Sequence, residues 1–165
     1  MLWPSIALLS FVTLQRLAEL VYARRNTAAL LARGAREIAS EHYPYMVAMH
    51  TVWLIGLWFL AAGRPISPVW FVVFMVLQGL RIWVLATLKG RWTTRIIVLP
   101  GAALVTSGPY RFLSHPNYAV VIGEIAALPL AFGLPLYALI FSLLNAAILT
   151  VRIRAENAAL REVMA

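Results

Sequence analysis

Residues 107–118 read Ser-Gly-Pro-Tyr-Arg-Phe-Leu-Ser-His-Pro-Asn-Tyr, and they separate two strongly apolar parts of the chain. The Gly-Pro and His-Pro pairs in this run break regular structure, so they predict a loop that leads into a helix. Pro116 suits the first turn of that helix, because the backbone N–H that it lacks would have no partner there. The free N–H groups at the start of a helix, with Arg111 and His115 beside them, favour an anion.

The composition is that of a membrane protein. Of the 165 residues, 62% are hydrophobic and 12% are charged, which excludes an ordinary soluble domain. The net charge of +8 does not indicate nucleic-acid binding, because the basic residues lie in short segments between apolar runs, where topology and anionic membrane lipids require them. The chain has no cysteine, and its three histidines lack companion ligands at metal-site spacing, so we expect neither disulfides nor a metal.

The apolar runs predict the number of spans. A run of about 20 apolar residues crosses a bilayer core, and three such runs occupy residues 3–23, 44–62 and 68–88. Residues 118–151 are apolar as well, but one helix of that length would be about 50 Å long. The Gly-Leu-Pro at 133–135 should therefore break this run into a tight hairpin of two spans. The sequence predicts an all-α integral membrane protein with five transmembrane helices in a single domain, three in residues 1–90 and two in residues 91–165.

Loop charges predict the orientation. Basic residues concentrate in the segments 24–43 and 89–117 and after residue 151, whereas the alternate connections carry almost none. By the positive-inside rule, the basic segments are cytoplasmic, the N-terminus lies outside and the C-terminus lies inside. In the first basic segment, Asn26 should cap a short helix along the membrane surface that Gly34 ends.

Several polar side chains interrupt the spans. They lie at helical spacing as Gln15, Glu19 and Tyr22 on the first span, with Arg16 beside them, Gln78 and Arg81 on the third, Asn117 and Glu124 on the fourth, and Ser142, Asn145, Arg152 and Glu156 on the fifth. Such residues usually face the interior of a bundle and mark function. Glu19 and Arg81 are expected either to form a buried ion pair or to bind substrate, and His50 is either a core histidine or a substrate contact. Glu124 needs a partner at that depth.

Residues 107–118 resemble the Gly-Pro-Tyr-Arg-x-x-x-His-Pro-x-Tyr signature of isoprenylcysteine carboxyl methyltransferases and their bacterial relatives. Residues 152–157, Arg-Ile-Arg-Ala-Glu-Asn, resemble the second motif of that family, an arginine followed by an acidic pair, with Asn157 at the second acid. The loop charges place both motifs on the cytoplasmic side. The resemblance implies an enzyme of the bacterial inner membrane that uses S-adenosylmethionine, with its cofactor pocket at that face. It places Arg152 near the reacting methyl group, and it implies that the cofactor contacts His115, Pro116, Tyr118 and Glu156.

The polar groups of the two motifs also match parts of S-adenosylmethionine by their chemistry. The candidates are Arg111 or His115 for its carboxylate, Glu156 for its ammonium, Asn117 or Asn157 for the ribose or adenine edge, and Tyr110 or Tyr118 for the sulfonium. Methyl transfer from a sulfonium is an in-line displacement, so the enzyme mainly aligns the reactants and excludes water.

The acceptor should be lipophilic and enter from the bilayer. Residues 15–20, 25–26 and 42–44 resemble a bacterial branch linked to O-methylation of long-chain alkylpyrones and alkylresorcinols, and a prenylated cysteine carboxylate is the other acceptor that the family implies. An ionised acceptor needs no base, whereas a phenol needs one, with Glu124 or His50 as candidates. The alternatives are a phospholipid amine N-methyltransferase, an NADPH-dependent enzyme similar to sterol reductases, and a non-enzymatic membrane scaffold.

Overall fold

The computed structural model describes residues 3–164 and contains five α-helices. They are α1 (Trp3–Ala32), α2 (Tyr43–Ala61), α3 (Pro68–Leu88), α4 (Pro116–Ala131) and α5 (Pro135–Met164). A proline occupies the first turn of α2, α3 and α4, where its fixed φ angle suits a helix and its missing N–H removes no hydrogen bond. The predicted boundaries of the third span coincide with α3, and those of the second differ from α2 by one residue at each end.

Four of these helices are long and apolar enough to cross a bilayer, namely α1, α2, α3 and α5. The fourth helix, α4, has 16 residues and is about 24 Å long, which is shorter than a typical bilayer core. It packs between α3 and α5. The chain is therefore a mostly helical membrane protein, and the fifth span stays a prediction.

The predicted hairpin between the last two helices is confirmed. Gly133 adopts a φ angle of +67°, a conformation that glycine reaches without steric cost. The backbone N–H groups of Gly133 and Leu134 bond to the carbonyls of Leu130 and Pro129, each at 3.0 Å. These bonds use the last free carbonyls of α4, so three residues suffice to reverse the chain.

The prediction of a short surface helix capped by Asn26 is wrong. Helix α1 continues without interruption to Ala32, and Asn26 is buried inside it. Its side-chain amide donates to the carbonyl oxygens of Lys89 at 3.2 Å and Trp92 at 2.8 Å, which tie α1 to the segment after α3. Gly34 does terminate the helix, with a φ angle of +88°.

Two short strands form an antiparallel pair that the sequence did not predict. Strand β1 (Arg36–Ile38) follows α1 and strand β2 (Ile96–Val98) follows α3, with Arg36 opposite Val98. Three residues are too few to show the two-residue periodicity of a strand, so the sequence contains no pattern that predicts the pair. The strands join the two basic segments at the end of the bundle where α1, α3 and α5 finish and α2 and α4 begin, which we call the motif end.

The core lies between the helices. Its fully buried side chains include Leu9, Trp53, Leu57, Phe74, Leu128 and Phe132, so all helices except α5 supply at least one of these six. Many large apolar side chains on the outward faces are exposed, as expected of helices whose surroundings are lipid.

Candidate active site

The two sequence motifs meet at the motif end, where the start of α4 lies against the last part of α5. Tyr118 donates its hydroxyl to Glu156 Oε2 at 2.7 Å, and His115 Nδ1 lies 3.7 Å from the same oxygen. The other ring nitrogen of His115, Nε2, is 3.1 Å from Asn157 Oδ1. The rings of His115 and Tyr118 stack with their centroids 5.4 Å apart.

Arg152 adds a buried cation to this group. Its side chain is 4% exposed, and its Nη2 donates to the carbonyl oxygen of Thr94 at 2.9 Å. Its Nε is buried and makes no hydrogen bond within the described part of the chain, and the same holds for Asn145 Oδ1 on the same helix. Arg154 is exposed, so Arg152 is the arginine of the pair that faces the interior.

Asn117 is held from the segment after α3. Trp92 is buried, and its indole N–H donates to Asn117 Oδ1 at 3.3 Å. The Trp92 ring in turn stacks on Tyr22 of α1 with centroids 6.1 Å apart. Pro116, directly before Asn117, is buried at the first helical position. The segment after α3, which itself packs on α1, therefore holds the start of α4. We use the name motif site for the group comprising His115, Asn117, Tyr118, Arg152, Glu156 and Asn157.

Tyr110 and Arg111 differ in their relation to the motif site. Burial, and then the nearby Glu156 carboxylate, raise the pKa of Tyr110 to about 12, so its phenol stays neutral at physiological pH. Arg111 is exposed and makes no hydrogen bond or ion pair with any residue that the structure describes. The structure therefore does not show Arg111 bound to the other motif residues by a hydrogen bond or an ion pair.

A second group of polar side chains lies inside the bundle, where α1, α3 and α4 meet. Glu124 is 1% exposed and receives four hydrogen bonds. Its Oε1 accepts from Gln78 Nε2 at 2.7 Å and from Arg81 Nε at 2.8 Å. Its Oε2 accepts from Arg16 Nη2 at 2.6 Å and from Arg81 Nη2. Both oxygens are thus occupied, which leaves Glu124 little capacity to accept a proton.

Glu19 completes this group, which we call the polar network. Its Oε2 accepts from Arg81 Nη1 at 3.0 Å and from Arg16 Nη1 at 2.9 Å, and its Oε1 accepts from Gln15 at 3.0 Å. The ion pair expected between Glu19 and Arg81 is present. With two arginines and two glutamates the network is electrically neutral, which is how charges are tolerated inside a membrane protein.

The polar network leaves three buried atoms without a hydrogen-bond partner in the described chain. They are Gln15 Oε1, Gln78 Oε1 and Arg16 Nε. Buried polar groups are nearly always paired, so unpaired ones call for a ligand or an ordered water. His50 of α2 is near enough to Arg16 and Glu124 to interact electrostatically, while its Nδ1 lies 2.9 Å from the carbonyl oxygen of Met46.

Sequence reasoning located most of these polar groups but missed two, one side chain and one backbone carbonyl. It placed Gln78 and Arg81 on one face, and it placed Asn117 and Glu124 on one face, both of which fit the structure. It missed Trp92 and the carbonyl of Thr94, which act through loop geometry. A tryptophan inside a basic loop is a weak signal for the first, and no side-chain pattern could have revealed a backbone carbonyl.

Comparison with known proteins gives three findings. A family model described as the isoprenylcysteine carboxyl methyltransferase family matches residues 70–162. An uncharacterized protein of Bacillus subtilis, YpbQ, is 41% identical over 167 residues, which cover 98% of each chain. An uncharacterized protein of Haemophilus influenzae is 25% identical over 150 residues, which cover 82% of this chain and 83% of the relative. No solved structure matches the chain.

Proposed function

Because the chain belongs to the isoprenylcysteine carboxyl methyltransferase family and is therefore a membrane methyltransferase of that type, we propose that it uses S-adenosylmethionine to methylate an oxygen of a lipophilic acceptor. The observation that carries this proposal is the contact between Tyr118 and Glu156, which are 38 residues apart in sequence and 2.7 Å apart in space. This contact brings the two motifs together, and we propose that they form one site whose charges and aromatic rings suit the cofactor.

The residues of the motif site fit the cofactor. Glu156 uses one carboxylate oxygen for Tyr118, and its side chain is 29% exposed, so its other oxygen is available to an ammonium group. His115 lies at the start of α4, where the helix dipole favours a carboxylate. The unpaired Nε of Arg152 and Oδ1 of Asn145 supply a buried donor and acceptor. When bound, S-adenosylmethionine supplies a methyl group activated by its sulfonium.

Arg152 is proposed as the catalytic cation. Its guanidinium is buried and fixed by the Thr94 carbonyl, so it keeps its orientation without support from water. A buried, oriented guanidinium attracts an anionic oxygen strongly. We propose that Arg152 holds the ionised oxygen of the acceptor in line with the methyl group, while the stacked rings of His115 and Tyr118 exclude water from that side.

The polar network is proposed to bind the inner end of the acceptor's polar head, while the reacting oxygen at the other end of the same head reaches Arg152. Glu124 and Asn117 are seven residues apart and lie on the same side of α4, so an acceptor seated at the network would extend toward the motif site. Glu19, Arg81 and His50 would contact this head, together with the unpaired oxygens of the two glutamines. An acceptor bound at this depth would enter from the bilayer.

The hydrogen bonds of Glu124 favour an acceptor that is already ionised. Because four donors occupy its two oxygens, we propose that Glu124 fixes Arg16 and Arg81 rather than removing a proton. A long-chain alkylpyrone and a prenylated cysteine carboxylate both meet this condition. For an alkylresorcinol, whose hydroxyl must lose a proton, His50 is the remaining candidate base. We further propose that the motif end faces the cytoplasm, because the basic segments lie there.

The test is thermal unfolding in detergent with S-adenosylhomocysteine. At about 100 times Kd, the ligand should stabilise the protein by about 2.7 kcal/mol. His115→Ala and Glu156→Gln should each lose most of this stabilisation. Glu156→Gln keeps the size of the side chain and an oxygen for Tyr118. A loss of ligand-induced stabilisation in this variant would therefore be due to the missing negative charge.

The matched control is Glu41→Gln, which removes the same charge from a side chain that is 71% exposed. This variant should respond to the ligand as the wild type does. NADPH in place of S-adenosylhomocysteine should give no stabilisation. Full ligand-induced stabilisation of both site variants would refute the site, and stabilisation by NADPH alone would refute the proposed cofactor.

A further inference from the structure

A cavity of about 310 Å³ lies at the motif end and contains none of the motif-site residues. One wall is a face of the last turns of α1, with Arg24, Thr27 and Leu31 at successive turns. The opposite wall is formed by the strand segments and the start of α2. The first wall exists because α1 continues to Ala32 instead of stopping at residue 23.

The charges that line the cavity do not cancel. Arg95 donates to both carboxylate oxygens of Glu37, at 2.6 Å and 2.9 Å, and lies over the Tyr43 ring at 4.2 Å. The charges of Arg95 and Glu37 therefore cancel. Arg24 and the hydroxyl of Thr27 line the same cavity and make no hydrogen bond or ion pair with any described residue. The lining therefore carries one net positive charge and a free hydroxyl donor.

The position of the cavity favours a lipid. A helix needs about 20 residues to cross the hydrocarbon core, and α1 begins at Trp3, so Arg24 reaches the level of the headgroups. Ala28 and Leu31 continue this wall on the far side of Arg24 from the membrane and give it an apolar surface, which suits the carbons of an organic headgroup beyond the phosphate better than a fully hydrated ion. Basic pockets between helices at this level are typical sites for anionic headgroups.

We propose that this cavity binds the phosphodiester of an anionic phospholipid such as phosphatidylglycerol, with Arg24 and Thr27 as its direct ligands. A phosphodiester carries a single negative charge, which balances the net charge of the lining. Arg24 supplies the charge-assisted hydrogen bonds, and Thr27, three residues later on the same face, supplies a hydroxyl donor.

The bound lipid would also act on Arg152. The hydroxyls of Tyr43 and Thr94, both in the cavity lining, lie 3.2 Å apart, and the carbonyl of Thr94 orients Arg152. An occupant of the cavity would contact Tyr43 and Thr94, and we expect it to restrict the movement of the residue that holds the guanidinium. This consequence rests on the proposed function, whereas lipid binding at the cavity does not.

The experiment compares lipid binding by three variants in nanodiscs. The wild type, Arg24→Gln and Thr27→Val are reconstituted in phosphatidylcholine with and without phosphatidylglycerol, and bound lipid is counted by native mass spectrometry. Arg25→Gln is the matched control, because Arg25 is exposed as Arg24 is and follows it on the same helix but does not line the cavity. Salt of about 1 M shortens the Debye length to about 3 Å and so suppresses nonspecific attraction to the surface.

We expect retained phosphatidylglycerol to fall by about five-fold in Arg24→Gln, the factor that corresponds to about 1 kcal/mol per basic residue near an anionic surface. Thr27→Val should show a smaller loss at unchanged net charge, and Arg25→Gln should match the wild type. Equal losses in Arg24→Gln and Arg25→Gln would overturn the proposal, because they would report surface charge alone.

Two further measurements separate this site from its alternatives. The first adds inorganic phosphate or phosphatidylglycerol to the detergent-solubilised protein. If phosphate stabilises the protein as much as phosphatidylglycerol does, the assignment of the cavity to a lipid is wrong. S-adenosylhomocysteine should stabilise Arg24→Gln as it stabilises the wild type. If Arg24→Gln instead lost that stabilisation and kept its phosphatidylglycerol, the cavity would belong to the cofactor site and the proposal would be wrong. If S-adenosylhomocysteine bound neither the wild type nor any variant, the proposed cofactor would be wrong, but the proposed lipid site would not be affected.

Discussion

The substitution Glu124→Gln tests the polar network directly. The variant keeps the size of the side chain and a hydrogen-bonding oxygen, but it removes the negative charge that Arg16 and Arg81 share. Glu19 then faces two guanidinium groups alone, and the network carries one uncompensated positive charge inside the bundle. We therefore expect a large loss of stability.

The expected loss follows from the burial of the two arginines. Removing one partner of a buried ion pair costs about 3–5 kcal/mol. The Arg81 side chain is 3% exposed, whereas that of Arg16 is 23% exposed, so Arg16 can turn partly outward and relieve some of the penalty. We expect a loss of about 3 kcal/mol, at the lower end of the range for buried pairs.

Unfolding can be followed by intrinsic fluorescence in detergent, because the chain contains six tryptophans. Glu41→Gln should lie within about 0.5 kcal/mol of the wild type, as is usual for exposed sites. The double variant Glu124→Gln/Arg81→Gln restores neutrality and should lose less than the sum of the single variants, by about 1 kcal/mol or more. If Glu124→Gln unfolds under the same conditions as the wild type, the network is not a buried, charge-balanced unit.

Three further predictions use the same protein. Asn26→Ala leaves the carbonyl of Trp92 unpaired and removes one of the two donors of the Lys89 carbonyl. The change should cost about 1–3 kcal/mol, so unchanged thermal unfolding would contradict the role of this asparagine. The chain lacks cysteine, so a single introduced cysteine can be labelled selectively. In intact cells, a thiol reagent that does not cross the membrane should label Ala62→Cys, which is expected outside, and should leave Ala32→Cys, which is expected in the cytoplasm, unlabelled. The reverse labelling would overturn the orientation. Because the pKa of Tyr110 is raised to about 12, this phenol stays protonated below pH 10, and kcat with an ionised acceptor should be nearly constant from about pH 6.5 to 9. A steep rise with pH would instead indicate an acceptor that must lose a proton.

The sequence predicted those parts of the fold that local chemistry specifies. The three residues at 133–135 were enough to place the hairpin between α4 and α5, because a glycine at positive φ followed by proline ends one helix and starts the next. Pro116 likewise marked the start of α4. In each case the signal lies within a few residues of the feature that it specifies.

The parts that the sequence could not predict depend on partners far along the chain. Asn26 has the right chemistry for a helix cap, but its hydrogen bonds go to carbonyls 63 and 66 residues away, and these bonds keep it inside α1. The short strands β1 and β2 pair segments that are far apart in the chain, with Arg36 opposite Val98. At both places local sequence propensity favours a different structure from the one observed, and contacts with distant parts of the chain determine which structure forms.

The shortest helix, α4, holds the two polar sites in register. Tyr118 in its first turn contacts Glu156 of α5, while Glu124, six residues later and about 9 Å along the axis, binds α1 and α3. These two side chains leave the helix in different directions, so a slip by one residue would turn both by about 100° and break both sets of hydrogen bonds. The interactions of Glu124 therefore fix the rotation of α4 that aims Tyr118 at Glu156. Loss of the Glu124 charge should consequently weaken cofactor binding as well as stability, although this glutamate contacts none of the motif-site residues in the hydrogen bonds described above.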